Sequence, residues 1–264
     1  MKVILFYIGD YPVRSYGLVV ALAILLSLGL ARYLARDTIF REHLSSFTVT
    51  AVISAIFGAR MWEVLFFQWS YYSANPLEIL AIWNGGLSIQ GAIVGGIAAA
   101  IYYTWRHKLP FWEFVDTLAP ALMFGQGIGR IACFLNGDAF GSPTGSGFGI
   151  VYPEGTIAYE RYGSQPLWPA EIWEGQWDIV IFGILLAMKN KRLPKGMLFL
   201  TSQCLYALGR FSLEFLRGDT PRFLFDWTAA QWTSSVVVVV TVSILAVLVY
   251  RNRMQGRTSL LKEE

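Results

Sequence analysis

Three arginines stand inside otherwise apolar runs: Arg60 in SAIFGARMW, Arg130 in FGQGIGRIACFL and Arg210 in QCLYALGRFSLEF. An arginine at membrane depth costs ~2.5–3.5 kcal/mol on insertion scales, so it persists where it has a partner. Each guanidinium offers a planar fork that grips a carboxylate or a phosphate at two points. All three lie within ~12 Å of the same end of their predicted helices, counting ~1.5 Å per residue. Two chemistries fit. One is internal pairing, with Glu63 beside Arg60 and Glu214 one turn after Arg210. The other is an anionic ligand, such as a lipid headgroup phosphate drawn slightly into the membrane. Arg217 and Arg222 would then extend the basic path.

Other polar residues fall at the ends of apolar runs. Asn84-Gly85-Gly86-Leu87-Ser88-Ile89-Gln90-Gly91 opens one predicted helix. Its free N–H groups would favour an anion, and its glycines would equally serve a close helix-packing seam. Tyr16 and Gly17 start the first helix, where Tyr16 suits an interfacial anchor. Asn136, Gly137 and Asp138 lead out of the Arg130 run into a loop rich in Gly and Pro that includes Gly141. Asp116, near Pro120, reads as an N-cap. Trp168-Pro169-Ala170-Glu171-Ile172-Trp173-Glu174 opens another helix, and a carboxylate there would partner an arginine or accept a proton. Cys133 reads as core filling.

The elements that must position these groups are membrane helices. Of 264 residues, 55% are hydrophobic and 15% charged, with mean hydropathy +0.48; soluble domains carry about 25% charged residues. Apolar segments near 16–34, 47–67, 86–105, 114–135, 168–188, 197–216 and 228–250 predict seven transmembrane helices. Residues 1–15 read as a surface arm, amphipathic over 1–12. Loops on one side carry 13 Lys and Arg: 32, 36, 41, 106, 108, 189, 191, 192, 195, 251, 253, 257 and 262. The other side carries five: 2, 14, 161, 217 and 222. The positive-inside rule then places the N-terminus outside and the C-terminus in the cytoplasm. The sequence thus describes an all-α integral membrane protein, one transmembrane domain over 1–264, with an irregular extracytoplasmic loop at 136–167. The first apolar run is too long for a cleaved signal peptide. Two cysteines exclude a stapled secreted scaffold. His43 and His107 both map to the cytoplasmic side, and no metal cluster, phosphate loop or Gly-x-Ser-x-Gly elbow is present. Neither a metal nor a cofactor is expected, and nothing suggests nucleic-acid binding. The absence of an internal repeat, and buried charge confined to the outer half, disfavour a small transporter.

In order along the chain, these pieces resemble the prolipoprotein diacylglyceryl transferase family. Tyr16-Gly17 looks like the family's aromatic-Tyr-Gly start of helix one, and Ala59-Arg60 resembles its Gly-Arg pair. NGGLSIQGA, which contains Ser88 and Gln90, is similar to Asp-Gly-Gly-x-Ser-x-His-Gly-Gly. GIGRIACFLNGDAFG resembles the signature Gly-Arg-x-x-Asn-Phe-x-Asn-x-Glu-x-x-Gly. WPAEIWEG resembles His-Pro-x-x-Leu-Tyr-Glu, and YALGRFSLEFLR has the Tyr-x-x-x-Arg-x-x-x-Glu-x-x-Arg spacing. The resemblance implies transfer of diacylglyceryl from phosphatidylglycerol to the lipobox cysteine of a preprolipoprotein signal peptide, in the bacterial inner (plasma) membrane, by a multi-pass enzyme. Carried over by motif, Arg130 and Arg210 hold the phosphate. Tyr16, Asn136, Gly141, Tyr206, Glu214 and Arg217 shape the site; Arg60, Ser88, Gln90, Asp138 and Glu174 join the substrate-binding set. The chain departs from the pattern at Gln90 and Trp168, where histidines are expected, and at Cys133, Asp138 and Glu63. Gln90 does not titrate near neutrality, and Glu174 is a substitute base. A lipid-binding protein that keeps the arginines without turnover is the alternative.

Overall fold

The computed structural model describes residue 1 and residues 3–260; side chains are described except for residues 8, 11 and 253–260. Lys2 and Lys262 of the charge bias lie outside the described residues, as do the side chains of Arg253 and Arg257. The elements are β1 (Ile4–Ile8), β2 (Tyr11–Arg14), α1 (Ser15–Leu34), α2 (His43–Trp62), α3 (Trp69–Ala74), α4 (Ile89–Arg106), α5 (Phe111–Asn136), α6 (Ile157–Tyr162), α7 (Ala170–Lys189), α8 (Met197–Leu213) and α9 (Ala229–Leu260). The protein is an all-α membrane protein with one small hairpin.

Among the described residues, four stretches are long and apolar enough to cross a membrane: Ser15–Leu34, Ile39–Phe67, Phe111–Asn136 and Ala229–Asn252. The other three expected spans are helical as α4, α7 and α8. Their composition separates them from the four. Helix α7 carries Glu171, Glu174 and Asp178, all buried, and α8 has 17 residues and carries Arg210. Polar side chains turned inward lower a helix's apolarity without exposing charge to lipid.

Three expectations are corrected. The amphipathic arm at 1–12 is an antiparallel hairpin, β1 paired with β2, with Ile4 opposite Arg14. Asp116 is not an N-cap: α5 begins at Phe111 and runs through Asp116 and Pro120. The loop at 136–167 contains α6 and a small core of Phe140, Tyr152, Ala158 and Leu167. Its Leu167 exchanges hydrogen bonds of 2.9 Å with Ile150 in both directions.

The described chain forms two compact units, residues 31–117 and residues 1–30 with 118–264. In the first, α2 packs on α4 through a glycine seam. A Cβ on Gly91 would collide with the Gly58 carbonyl, and one on Gly95 with the Ser54 carbonyl. Small residues let backbones approach closely where no water drives association. Helix α2 ends in a π turn at Glu63–Phe67.

In the second unit, Ala119 and Met123 of α5 meet Ile181 and Leu185 of α7, with Leu205 and Tyr206 of α8 against them. Trp177 Nε1 donates to the Leu205 carbonyl at 2.9 Å, tying α7 to α8. Thr228 and Gln231 cap α9 reciprocally, each backbone N–H donating to the other's side chain.

Candidate active site

Arg130 on α5, Arg210 on α8 and Arg217 just beyond α8 converge on one carboxylate, Glu174 of α7. Arg130 Nη2 lies 2.6 Å from Glu174 Oε2, Arg217 Nη1 3.3 Å from Oε1, and Arg210 Nη1 also bonds Oε1. Arg210 Nη2 further pairs with Glu214 Oε2 at 2.8 Å, one helical turn on. Arg217 forms a two-point fork on Asp219, with both bonds 2.7 Å. Glu174 is 4% exposed and Glu214 fully buried. The internal-pairing reading therefore holds for Arg210 and Glu214, and the carboxylate expected at Glu174 does partner arginine.

Each helix delivers its arginine for a local reason. Gly175 faces α5, where an added Cβ would stand 3.0 Å from Arg130 Cβ, a tighter contact than side chains ordinarily make. Helix α5 ends at Asn136 because Gly137 takes φ +71°. The Gly137 and Asp138 N–H groups both return to the Cys133 carbonyl. Arg217 is set by pairing of its strand-like segment with the 136–167 loop. Gly141 N–H donates to Trp168 O at 3.1 Å, Ser142 N–H to Leu216 O at 2.7 Å, and Gly218 N–H to Phe140 O at 3.1 Å. Arg217 was expected at the outer mouth, extending a basic path; it instead turns inward and is 8% exposed. Arg222 stays outside, 3.6 Å from Asp226.

Arg130 is incompletely satisfied. Its Nε is buried without a hydrogen-bond partner among the described residues. Beside it, between α5 and α7, lies a cavity of about 490 Å³ walled by Ile128, Ile131, Phe134, Ile172 and Ile179, with Gln176 at its edge. This apolar space with one guanidinium in its wall suits a molecule that is part lipid and part anion.

Around this centre, Tyr16, Cys133 and Asp138 lie within electrostatic reach of one another, and Tyr16 and Cys133 within reach of Arg130. Asn136 Nδ2 donates to Asp138 Oδ2 at 2.8 Å, while Asp138 Oδ1 is buried without a hydrogen-bond partner among the described residues. Tyr206 lies near enough to act on the charge of Arg130. Cys133 is a free thiol. Trp168 packs between Phe148 and Trp173 with the rings tilted.

Arg60, Ser88 and Gln90 belong to the other compact unit. The Arg60 guanidinium spends all five N–H donors on backbone carbonyls: Nε on Ile79, Nη1 on Gly85 and Gly86, Nη2 on Glu78 and Ala81. Gly85 and Gly86, at φ +88° and +70°, turn those carbonyls inward. Arg60 also lies over the Tyr72 ring, 4.9 Å from its centroid. Its partner is not Glu63, which accepts from Gln68 Nε2 at 2.9 Å. Arg60 thus organises the 76–86 loop and has no donor left over for a ligand. Arg60→Lys, with three donors for five carbonyls, is expected to loosen this loop. Limited proteolysis would show faster cleavage within 76–86, and a wild-type pattern would contradict the role. Ser88 Oγ donates to Gln90 Oε1 at 2.6 Å, and the Ser88 N–H is taken by the Ala59 carbonyl.

The sequence reading missed Asp178, Asp219 and the Tyr152–Glu171 bond. Asp178, four residues after Glu174 on α7, is 1% exposed. Its signal was present: an acid inside an apolar run, the counterpart of the arginines. The Tyr152 hydroxyl donates to Glu171, itself buried. Burial and the neighbouring Glu171 charge raise the Tyr152 phenol above its ordinary range, so it remains a donor.

Residues 3–247 match the family described as prolipoprotein diacylglyceryl transferase. Relatives named phosphatidylglycerol–prolipoprotein diacylglyceryl transferase include that of Nostoc sp., 36% identical over 95% of this chain and 90% of its own length. Those of Symbiobacterium thermophilum (36%; 94% and 93%) and Bacillus licheniformis (33%; 96% and 93%) are similar over comparable spans. With three arginines converging beside an apolar cavity and a match over nearly the whole sequence, the chain belongs to the prolipoprotein diacylglyceryl transferase family.

Proposed function

We infer that this chain transfers the diacylglyceryl group of phosphatidylglycerol to the lipobox cysteine thiol of preprolipoproteins. It does so as a multi-pass protein of the bacterial plasma membrane, with seven spans and an external N-terminus. One observation carries the reading: guanidiniums from separate elements surround a single anion position beside an apolar cavity. In the present structure Glu174 fills that position, and a lipid phosphate has the matching charge and oxygen geometry.

The lipid's apolar part lies along the Ile131–Phe134–Ile179 wall, and its phosphate meets Arg130, which has a donor to give, and Arg210. The client's thiolate attacks the glycerol carbon that bears the phosphate. A C–S bond forms, the C–O bond breaks, and glycerol phosphate leaves. Guanidiniums already in place stabilise charge on the departing phosphate, usually the largest catalytic contribution. A thiol is already a few per cent thiolate near neutrality and intrinsically nucleophilic. Gln90, held by Ser88, does not take the thiol's proton, so Gln90→Ala is expected to leave kcat within about threefold of wild type, far below the ~10²–10⁴ that a general base contributes. A larger loss would place Gln90 in the chemistry.

The direct test incubates purified protein with phosphatidylglycerol and a lipobox peptide and follows the peptide's mass. A thioether-linked diacylglyceryl adduct is expected, with none from phosphatidylethanolamine. Lipid bound without adduct would instead select the lipid-binding reading.

A further inference from the structure

The ion pairs of the cluster are already balanced. Arg130, Arg210 and Arg217 meet Glu174, Glu214 and Asp219. Asp178 is an additional carboxyl group in the same place. Neither of its oxygens has a hydrogen-bond donor among the described residues, and it is 1% exposed. The charges acting on it are Arg130 from α5, Arg210 from α8 and Glu174 on its own helix. Ionising a buried carboxyl group that has no hydrogen-bond donors costs free energy, so burial favours the form that keeps its proton. Asp178 also lies at i+4 from Glu174, the spacing at which helical side chains meet.

We propose that Asp178 is a positioning residue that receives Glu174 when a lipid phosphate displaces it from the arginines. This rests on the phosphate-binding reading above. An incoming phosphate and Glu174 compete for the same guanidiniums. The displaced carboxylate would be buried and unpaired, at a cost of several kcal/mol. The Asp178 carboxyl donates its O–H to the freed Glu174, and the two then share one proton, as paired carboxylates do. Ion pairs and hydrogen bonds are exchanged but no heavy-atom covalent bond changes, and the site's net charge changes only by that of the ligand. Asp178 thus sets how readily the site exchanges its internal anion for the lipid's.

The test uses the full chain in nanodiscs and reads phosphatidylglycerol affinity directly, with phosphatidylcholine as the uncharged control, alongside KM and kcat. Asp178→Leu removes the donor, and affinity is expected to fall about tenfold with a parallel rise in KM, equivalent to ~1.4 kcal/mol. Asp178→Asn keeps a donor and is expected to restore both values while kcat changes little. Equal behaviour of the two variants, in either direction, overturns the proposal. Infrared difference spectra of the wild type provide a measurement independent of the Leu variant's folding. Addition of phosphatidylglycerol should shift a protonated-carboxyl band that Asp178→Asn lacks, and an unchanged spectrum also overturns it. Lipid binding that follows this pattern without turnover would refute the transferase reading and leave the proposal standing. No phosphatidylglycerol binding at all would end both.

Discussion

Arg130→Ala is expected to abolish diacylglyceryl transfer while leaving the protein folded. The loss in kcat should reach at least ~10²–10³, the range for removing a single donor to developing negative charge. Folding should survive because Glu174 keeps Arg210 and Arg217 as partners, and alanine keeps the Cβ that packs on Gly175. Arg130→Lys should also fall well below wild type. A lysine supplies the charge but not the planar fork, and here one part of the fork holds Glu174 while the buried Nε has no hydrogen-bond partner among the described residues. Arg210→Ala should be equally inactive and less stable, since Glu214 would be left buried without its partner. The decisive measurement is single-turnover formation of thioether peptide beside a thermal unfolding curve. Turnover near wild type in Arg130→Ala would remove the phosphate role from this guanidinium.

Glu174→Leu should be the most destabilising single change in the site. It leaves Arg130, Arg210 and Arg217 without their common partner, and breaking a buried pair costs roughly 3–5 kcal/mol. That is a large share of the ~5–15 kcal/mol by which proteins are stable. The variant is expected to unfold at a clearly lower temperature in detergent. Phosphatidylglycerol should return part of the loss, because a ligand that binds only the folded state stabilises it by mass action. Glu174→Gln, with an acceptor oxygen of the same shape, should sit between the two. An unfolding temperature equal to wild type in Glu174→Leu would show that the arginines do not depend on this carboxylate.

What was legible in the sequence follows from what membrane insertion penalises. Arg60, Arg130 and Arg210 stood out because each interrupts an apolar run, and Glu214 followed from helical spacing alone. The Gly85–Gly91 stretch was readable as an anion-favouring helix start or as a packing seam; Gly91 packs on Gly58 as a seam would, while Gly85 and Gly86 turn carbonyls onto Arg60, a use the sequence did not suggest. The helical character of all seven apolar segments was likewise fixed by the need to satisfy backbone groups locally in lipid.

Only the tertiary structure decided which partner each charge takes. Arg60 and Arg130 look alike in sequence, since both are single cations near the outer end of a helix. One is saturated by five carbonyls of its own loop, and the other shares a carboxylate from a distant helix and keeps a donor unpaired beside a cavity. Arg217 turns inward because the 136–167 loop pairs with its backbone, a contact between residues far apart in the chain. Spacing along one helix predicts neighbours on that helix, as with Arg210 and Glu214. Glu174 became the centre because α5, α7 and α8 pack side by side, and no periodicity within a single helix records which of its neighbours will face it.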